Sequence, residues 1–213
     1  MLSQLKTISG IIVPAIATEQ IIEIDRIAVE ETDPNLFQMM ENAGRNLALS
    51  AIDILGNAWQ KANIVVLSGI GGNGGGGICA ARHLANRNGN VKVCITNPEK
   101  LKEVSTYQHK IYLSAKGLEI GINDLPNEKP DLIIDAVIGY NLKSVPRGYS
   151  LEMINWANSQ PAKILSLDVP SGVNTTTGDT PGAFIKAERT LTLALPKIGL
   201  LPELTGDLYL ADI

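Results

Sequence analysis

Residues 64–77 read Ile64-Val65-Val66-Leu67-Ser68-Gly69-Ile70-Gly71-Gly72-Asn73-Gly74-Gly75-Gly76-Gly77. Ile64 to Leu67 is a short, largely β-branched run of the kind that fills a buried strand. Seven glycines in nine positions follow from Gly69, and then comes helical spacing through Ala80, Ala81, Leu84 and Ala85. Strand, glycine-rich junction and helix in that order begin a βαβ unit. Glycines there let the backbone approach an anion, and the free N–H groups of a helix start point at it. The direct inference is a phosphate-bearing ligand; the plainer alternative is a turn that packs helix on strand.

The alternation continues downstream. Val91 to Ile95, Leu132 to Ile138, Ile164 to Val169, Leu191 to Leu195 and Leu208 to Leu210 read as strands. Between them Pro98 opens a helix through Val104, Tyr107 and Ile111 that closes at Gly117, and Ser150 caps another containing Met153, Ile154 and Trp156. Upstream, Ile21, Ile24, Ile27 and Ala28 mark a helix from Thr18, its candidate cap, to Thr32. Asp33-Pro34 breaks it and starts a second, with Leu36, Met39, Met40, Ala43, Leu47, Ala51 and Ile54 on one face and Gly56 at its end. Two helices therefore precede any strand. Continuous apolar strands are buried on both faces, as in a parallel sheet between helix layers. The expected fold is a three-layer α/β/α Rossmann-like sandwich with a mostly parallel sheet, preceded by two N-terminal helices. No repeat or linker divides the chain, so residues 1–213 are expected to form a single domain.

Composition bounds the rest. With 213 residues, 45% hydrophobic and 19% charged, disorder, collagen and coiled coil are excluded. The net charge of −4, from 18 Lys+Arg against 22 Asp+Glu, argues against a nucleic-acid partner, which needs a dense basic face. No apolar run reaches the ~20 residues of a membrane span. Cys79 and Cys94 fit no metal or disulfide spacing and read as free buried thiols in a reducing, cytoplasmic compartment. Residues 1–17 carry Lys6, a weak apolar stretch from Ile8 to Val13 and Ala15-Ile16-Ala17, the outline of a secretory signal; Ser9, Gly10 and Pro14 interrupt it.

Gly69, Gly71 and Gly74 satisfy GxGxxG, but the second strand ends at Thr96-Asn97 without the acid that a ribose diol needs, and there is no Walker lysine. Asp135 and Asp168 each lie within or at the end of an apolar strand, where a lone carboxylate is costly unless a cation or donors meet it. Together they point to a bound cation or an acid–base site; singly, each reads as a loop cap. Ser171 lies in Val169-Pro170-Ser171-Gly172-Val173, not GxSxG, so a Ser-His-Asp triad is unsupported, and His83 is assigned no role.

With these residues in place, the chain resembles the NAD(P)H-hydrate epimerases, the YjeF N-terminal domain family. The likeness runs through Thr18-Glu19-Gln20, Ile24-Asp25-Arg26, Met40-Glu41-Asn42-Ala43-Gly44-Arg45, Asp168-Val169-Pro170-Ser171-Gly172 and Pro196-Lys197-Ile198-Gly199-Leu200-Leu201. The resemblance implies a dimeric Rossmann-like enzyme interconverting the R and S epimers of NADHX and NADPHX, cofactors hydrated at C6 of the nicotinamide ring, for repair by a separate ATP- or ADP-dependent dehydratase. It implies a potassium ion (K+) at Asn73, Asp135 and Ser171. Substrate would be held by Gly72, Asn73, Gly74, Gly75 and Gly76, by Gly139, Tyr140, Asn141, Leu142, Lys143, Ser144 and Val145, and by Asp168, the candidate acid–base residue.

Two departures stand out. The family's usual GNNGGDG is here Gly71-Gly72-Asn73-Gly74-Gly75-Gly76-Gly77, with glycine for an Asn at Gly72 and for an Asp at Gly76, and Gly139-Tyr140-Asn141 replaces GTG. The alternative expectation is therefore a catalytically degenerate nucleotide-binding or dimerising scaffold of the same fold.

Overall fold

The computed structural model describes residues 4–32 and 35–213. Seven strands form one parallel sheet: β3 (Asn63–Ser68), β4 (Asn90–Ile95), β5 (Leu118–Ile120), β6 (Leu132–Ala136), β7 (Lys163–Leu167), β8 (Arg189–Leu193) and β9 (Asp207–Ala211), in the order β5-β4-β3-β6-β7-β8-β9. The chain runs outward one way from β3 and then returns to β6 on the other side, so the switch point of this doubly wound sheet lies between β3 and β6.

Side chains alternate across the sheet and fill a separate core on each side. Ile64, Val66, Leu132 and Ile134 pack against α2 (Leu36–Leu55) and α3 (Gly72–Ala85). Val65, Leu67 and Ile133 pack against Met153, Ile154 and Ala157 of α5 (Tyr149–Ser159). The three-layer α/β/α arrangement follows from strands apolar on both faces.

The N-terminal part differs from expectation. A small antiparallel hairpin, β1 (Gln4–Lys6) with β2 (Ile12–Pro14), stands ahead of α1 (Thr18–Ile27) and α2, so a strand pair precedes the helices. The signal-like outline ends inside the fold: Ala15 and Ile16 are buried, and Ile16 bridges to Lys197. The N-cap of α1 is Ala17, and the Thr18 hydroxyl instead meets Thr175 and Thr176 at 2.6 and 2.7 Å. A π-helical turn over Ala28–Thr32 closes α1. The Asp33-Pro34 break lies outside the described residues; Asn35 caps α2, its side chain accepting from the Gln38 N–H at 3.0 Å, and Gly56 ends α2 at φ 61°.

Further on, Pro98–Lys100 is a separate 3-10 turn before α4 (Glu103–Ser114). Gly148, not Ser150, precedes α5. Strands β6 and β7 stop at Ala136 and Leu167, two residues earlier than their apolar runs, which frees Val137 to Ile138 and Asp168 to Val169 for turns. A four-residue α6 (Pro202–Thr205) joins β8 to β9. No helix among the described residues is long and apolar enough to cross a membrane.

Candidate functional site

The glycine run is mostly helix, not loop. Helix α3 begins at Gly72 after an N-cap at Gly71 with no side-chain cap. Gly74 to Gly77 are buried because neighbouring elements come too close for a side chain. A Cβ on Gly75 would lie 2.5 Å from the Met40 sulfur, on Gly76 2.7 Å from Leu167 Cδ2, and on Gly77 2.5 Å from Ala136 Cβ. Intimate packing thus explains part of the run. What remains open is its start: a Cβ on Gly71 or Gly72 would meet nothing within 4 Å. There the first N–H groups of α3 have no intrahelical acceptor.

At the switch point β3 and β6 turn out together. A Cβ on Gly69 would lie 2.0 Å from the Val137 carbonyl oxygen, and one on Gly139 3.1 Å from Asn73 Cβ. Asn73 and Gly139, 66 positions apart by their residue numbers, are therefore neighbours. The amide nitrogen of Asn73 is buried and has no hydrogen-bond partner.

Asp135 is fully buried beneath this junction. Its Oδ1 accepts from Ser171 Oγ at 2.5 Å and from the Val137 N–H at 3.3 Å; Oδ2 accepts from Ser166 Oγ at 2.8 Å and the Ser171 N–H at 2.9 Å. The Ser171 hydroxyl also accepts from the Ile138 N–H at 2.8 Å. Burial raises the Asp135 pKa, against the lowering pull of these donors. Among the described residues no Lys, Arg or His pairs with it.

Asp168 sits one turn before Ser171 in the left-handed region, φ 66°, a conformation that costs a non-glycine residue about 1 kcal/mol or more. Its N–H donates to the Leu191 carbonyl at 2.7 Å. All the donors it receives converge on Oδ1: the Leu193 N–H at 3.1 Å, the Thr192 hydroxyl at 3.4 Å and the Lys197 ammonium. Among the described residues Oδ2 receives none. Lys197 is 1% exposed and also donates to the Leu193 carbonyl at 3.0 Å.

A second pair adjoins this one. Tyr140 Oη donates to Asp25 Oδ2 at 2.7 Å. Burial is the main reason that both pKa values are raised, and the charge of Asp168 raises each further. Of the remaining loop, Asn141, Lys143, Ser144 and Val145 are exposed and Leu142 half-buried at the rim.

The family described as YjeF-related protein N-terminus matches residues 36–199. The chain belongs to the YjeF N-terminal family. A protein of Dehalogenimonas lykanthroporepellens named NAD(P)H-hydrate epimerase is 49% identical over 191 residues, covering 90% of this chain and 78% of the relative. A Bifunctional NAD(P)H-hydrate repair enzyme Nnr of Hyperthermus butylicus is 40% identical over 83% of the chain, which spans only 34% of that enzyme. The crystal structure of yeast ynu0 aligns with a TM-score of 0.75 and 24% identity, over 87% of this chain and 82% of its own, a likeness of fold.

Against the YjeF N-terminal pattern, the expected positions fall into two groups. Asn73, Gly139, Asp135 and Ser171 gather at the ends of β3, β6 and β7, whereas Gly74, Gly75 and Gly76 can contribute only backbone, from inside a helix. Sequence reading missed Lys197 and Asp25 as site residues, although a lysine inside the apolar stretch Leu195 to Leu201 is itself a signal. His83 belongs elsewhere: its Nε2 lies 2.8 Å from Glu41 Oε1. Arg82 Nη2 reaches both Glu41 oxygens at 2.6 Å and Cys79 Sγ at 3.5 Å. That cluster ties α2 to α3 with a guanidinium already at its centre. The Cys79 and Cys94 thiols are free, and burial pushes each up to about 12.

Proposed function

We propose that this chain interconverts the R and S epimers of NADHX and NADPHX. The observation that supports the proposal is that Asn73, Asp135, Asp168 and Ser171 lie in or just after the carboxyl ends of the adjacent strands β3, β6 and β7 beside the switch point, in a chain 49% identical to a protein named NAD(P)H-hydrate epimerase.

The substrate is a hemiaminal at C6. Epimerisation runs by loss of the protonated C6 hydroxyl as water, giving a planar iminium, and return of water to the opposite face. Asp168 is the acid–base residue, acting through the oxygen left free of donors while Lys197 holds the other. The open N–H groups at Gly72 and Asn73 take the diphosphate, with backbone from Gly74, Gly75 and Gly76 behind them. The loop from Gly139 through Tyr140, Asn141, Leu142, Lys143, Ser144 and Val145 closes over the rest, so that binding energy positions the ring.

A potassium ion suits Asn73, Asp135 and Ser171. A buried carboxylate that no cation pairs with among the described residues, with the Ser171 hydroxyl oxygen on it and the Asn73 side-chain oxygen nearby, offers the oxygen donors that a hard cation takes, while the unpartnered Asn73 N–H group suits an acceptor on the substrate. Bound there, the ion would supply positive charge that offsets Asp135 and fixes the strand-end turns.

We further propose a cytoplasmic homodimer that hands the S epimer to a separate ATP- or ADP-dependent dehydratase. An epimer-resolved assay of the purified chain tests the reading. R-NADHX is expected to relax to an R/S mixture faster than in buffer, and faster with potassium than without. Asp168→Asn should slow it about 100-fold or more. Equal rates for wild type and buffer would sink it.

The degenerate-scaffold alternative draws on Gly76, where the family's carboxylate is absent. It predicts ADP-ribose binding without turnover in the same assay.

A further inference from the structure

We infer that Tyr140, positioned by Asp25, is a second proton-handling group opposed to Asp168, so that water leaves and returns on the two faces of the substrate ring through two different residues. The inference rests on the epimerase reading.

Among the described residues, the donors to the Asp168 carboxylate come from one part of the chain. Lys197, Thr192 and Leu193 all come from β8 and the segment after it, and all grip Oδ1. Tyr140 and Asp25 come from elsewhere, the loop after β6 and helix α1, 115 positions apart. Their meeting is fixed at two points. The Tyr140 hydroxyl donates to Asp25 at 2.7 Å, and its backbone carbonyl accepts from Thr175 Oγ1 at 3.1 Å. Thr175 in turn meets Thr18, the first residue of α1, at 2.6 Å. A tyrosine that only filled space would not need both ends tied to the same helix. Position 140 is also where the chain departs from the family's usual GTG.

The chemistry asks for such a pair. When the C6–O bond breaks, the leaving oxygen takes a proton and the ring nitrogen lone pair forms the C=N bond. When water adds to the other face, it gives up a proton as that lone pair is released. A group on one face is badly placed to serve the other. For the R epimer, half-buried Asp25, protonated from solvent, passes a proton to the Tyr140 oxygen as the phenol gives its own to the leaving hydroxyl. The Asp168 carboxylate takes the proton of the incoming water and releases it to solvent, so that one proton is taken up and one given back. In the reverse direction the roles swap.

The experiment uses the purified full chain and S-NADHX carrying 18O in the C6 hydroxyl, the epimer whose hydroxyl leaves from the Asp168 side when that of R leaves from the Tyr140 side. Inversion is followed by chromatography and 18O loss by mass spectrometry. Tyr140→Phe, which removes one oxygen atom, should leave departure and return of water on the Asp168 side. The ratio of 18O loss to inversion is then expected to rise about tenfold or more over wild type. Asp25→Asn should move the ratio in the same direction, and the melting temperature of each variant shows whether it folds. A ratio equal to wild type in both folded variants overturns the inference and leaves Asp168 as the single group. Absence of inversion in wild type above buffer instead overturns the epimerase reading itself.

Discussion

The Ser171 hydroxyl stands between Asp135 and the turn after β6, donating to Asp135 Oδ1 at 2.5 Å and accepting from the Ile138 N–H at 2.8 Å. One oxygen atom thereby ties the ends of β6 and β7 together over a buried carboxylate. Ser171→Ala leaves the Ile138 N–H and one lone pair of Asp135 without partners, so a loss of about 1–3 kcal/mol is expected. Urea unfolding of the purified variant checks it; an unchanged midpoint would show the tie to be dispensable.

Asp135 makes stability depend on pH in an unusual direction. Its folded pKa is raised above 3.8, so between that value and the folded pKa the native state holds more protons than the unfolded one. Stability therefore falls as pH rises through that window and stays at the lower level above it. In potassium-free buffer, Asp135→Asn is expected to flatten this slope, read from unfolding midpoints between about pH 4 and 8.

Potassium itself should stabilise the wild type by mass action, by about 2.7 kcal/mol at a hundred times its dissociation constant. The matched control is tetramethylammonium chloride, which keeps ionic strength constant. Asp135→Asn is expected to abolish the difference in melting temperature between the two salts. A wild type that melts alike in both would remove potassium from the site.

Lys197 is buried at 1% exposure against Asp168 at 3%. Lys197→Met strands a buried carboxylate, and a loss of about 3–5 kcal/mol is expected. Adding Asp168→Asn removes the stranded charge, so the double variant should recover much of that stability. A double variant as unstable as the sum of the singles would contradict the pairing.

The glycine run divides by position. Gly72→Asn, with open space at its Cβ, should leave the melting temperature near wild type. Gly76→Asp must displace Leu167 and is expected to cost about 1–3 kcal/mol. Urea unfolding of the two single variants checks the division; equal midpoints would show that the two positions are alike in the room they leave.

Sequence by itself determined the architecture. Strands apolar at every position, such as Leu132 to Ile134, can be buried only between two helix layers, and strand–glycine–helix order at 64–85 sets the first crossover. It also singled out the glycine-rich helix start, Asp135 and Asp168, because glycines at a strand–helix junction and an acid in an apolar strand carry local chemical meaning, and the family resemblance added Asn73 and Ser171. It did not show that most of the glycines lie inside the helix: α3 starts at Gly72, where close packing against Met40, Leu167 and Ala136 outweighs glycine's poor helix propensity. Tertiary structure alone decided the partnerships. Lys197 with Asp168 spans 29 positions and Tyr140 with Asp25 spans 115. No periodicity encodes such pairs, since each exists only when separate segments converge at the carboxyl ends of the strands and exclude enough water for the charges to matter.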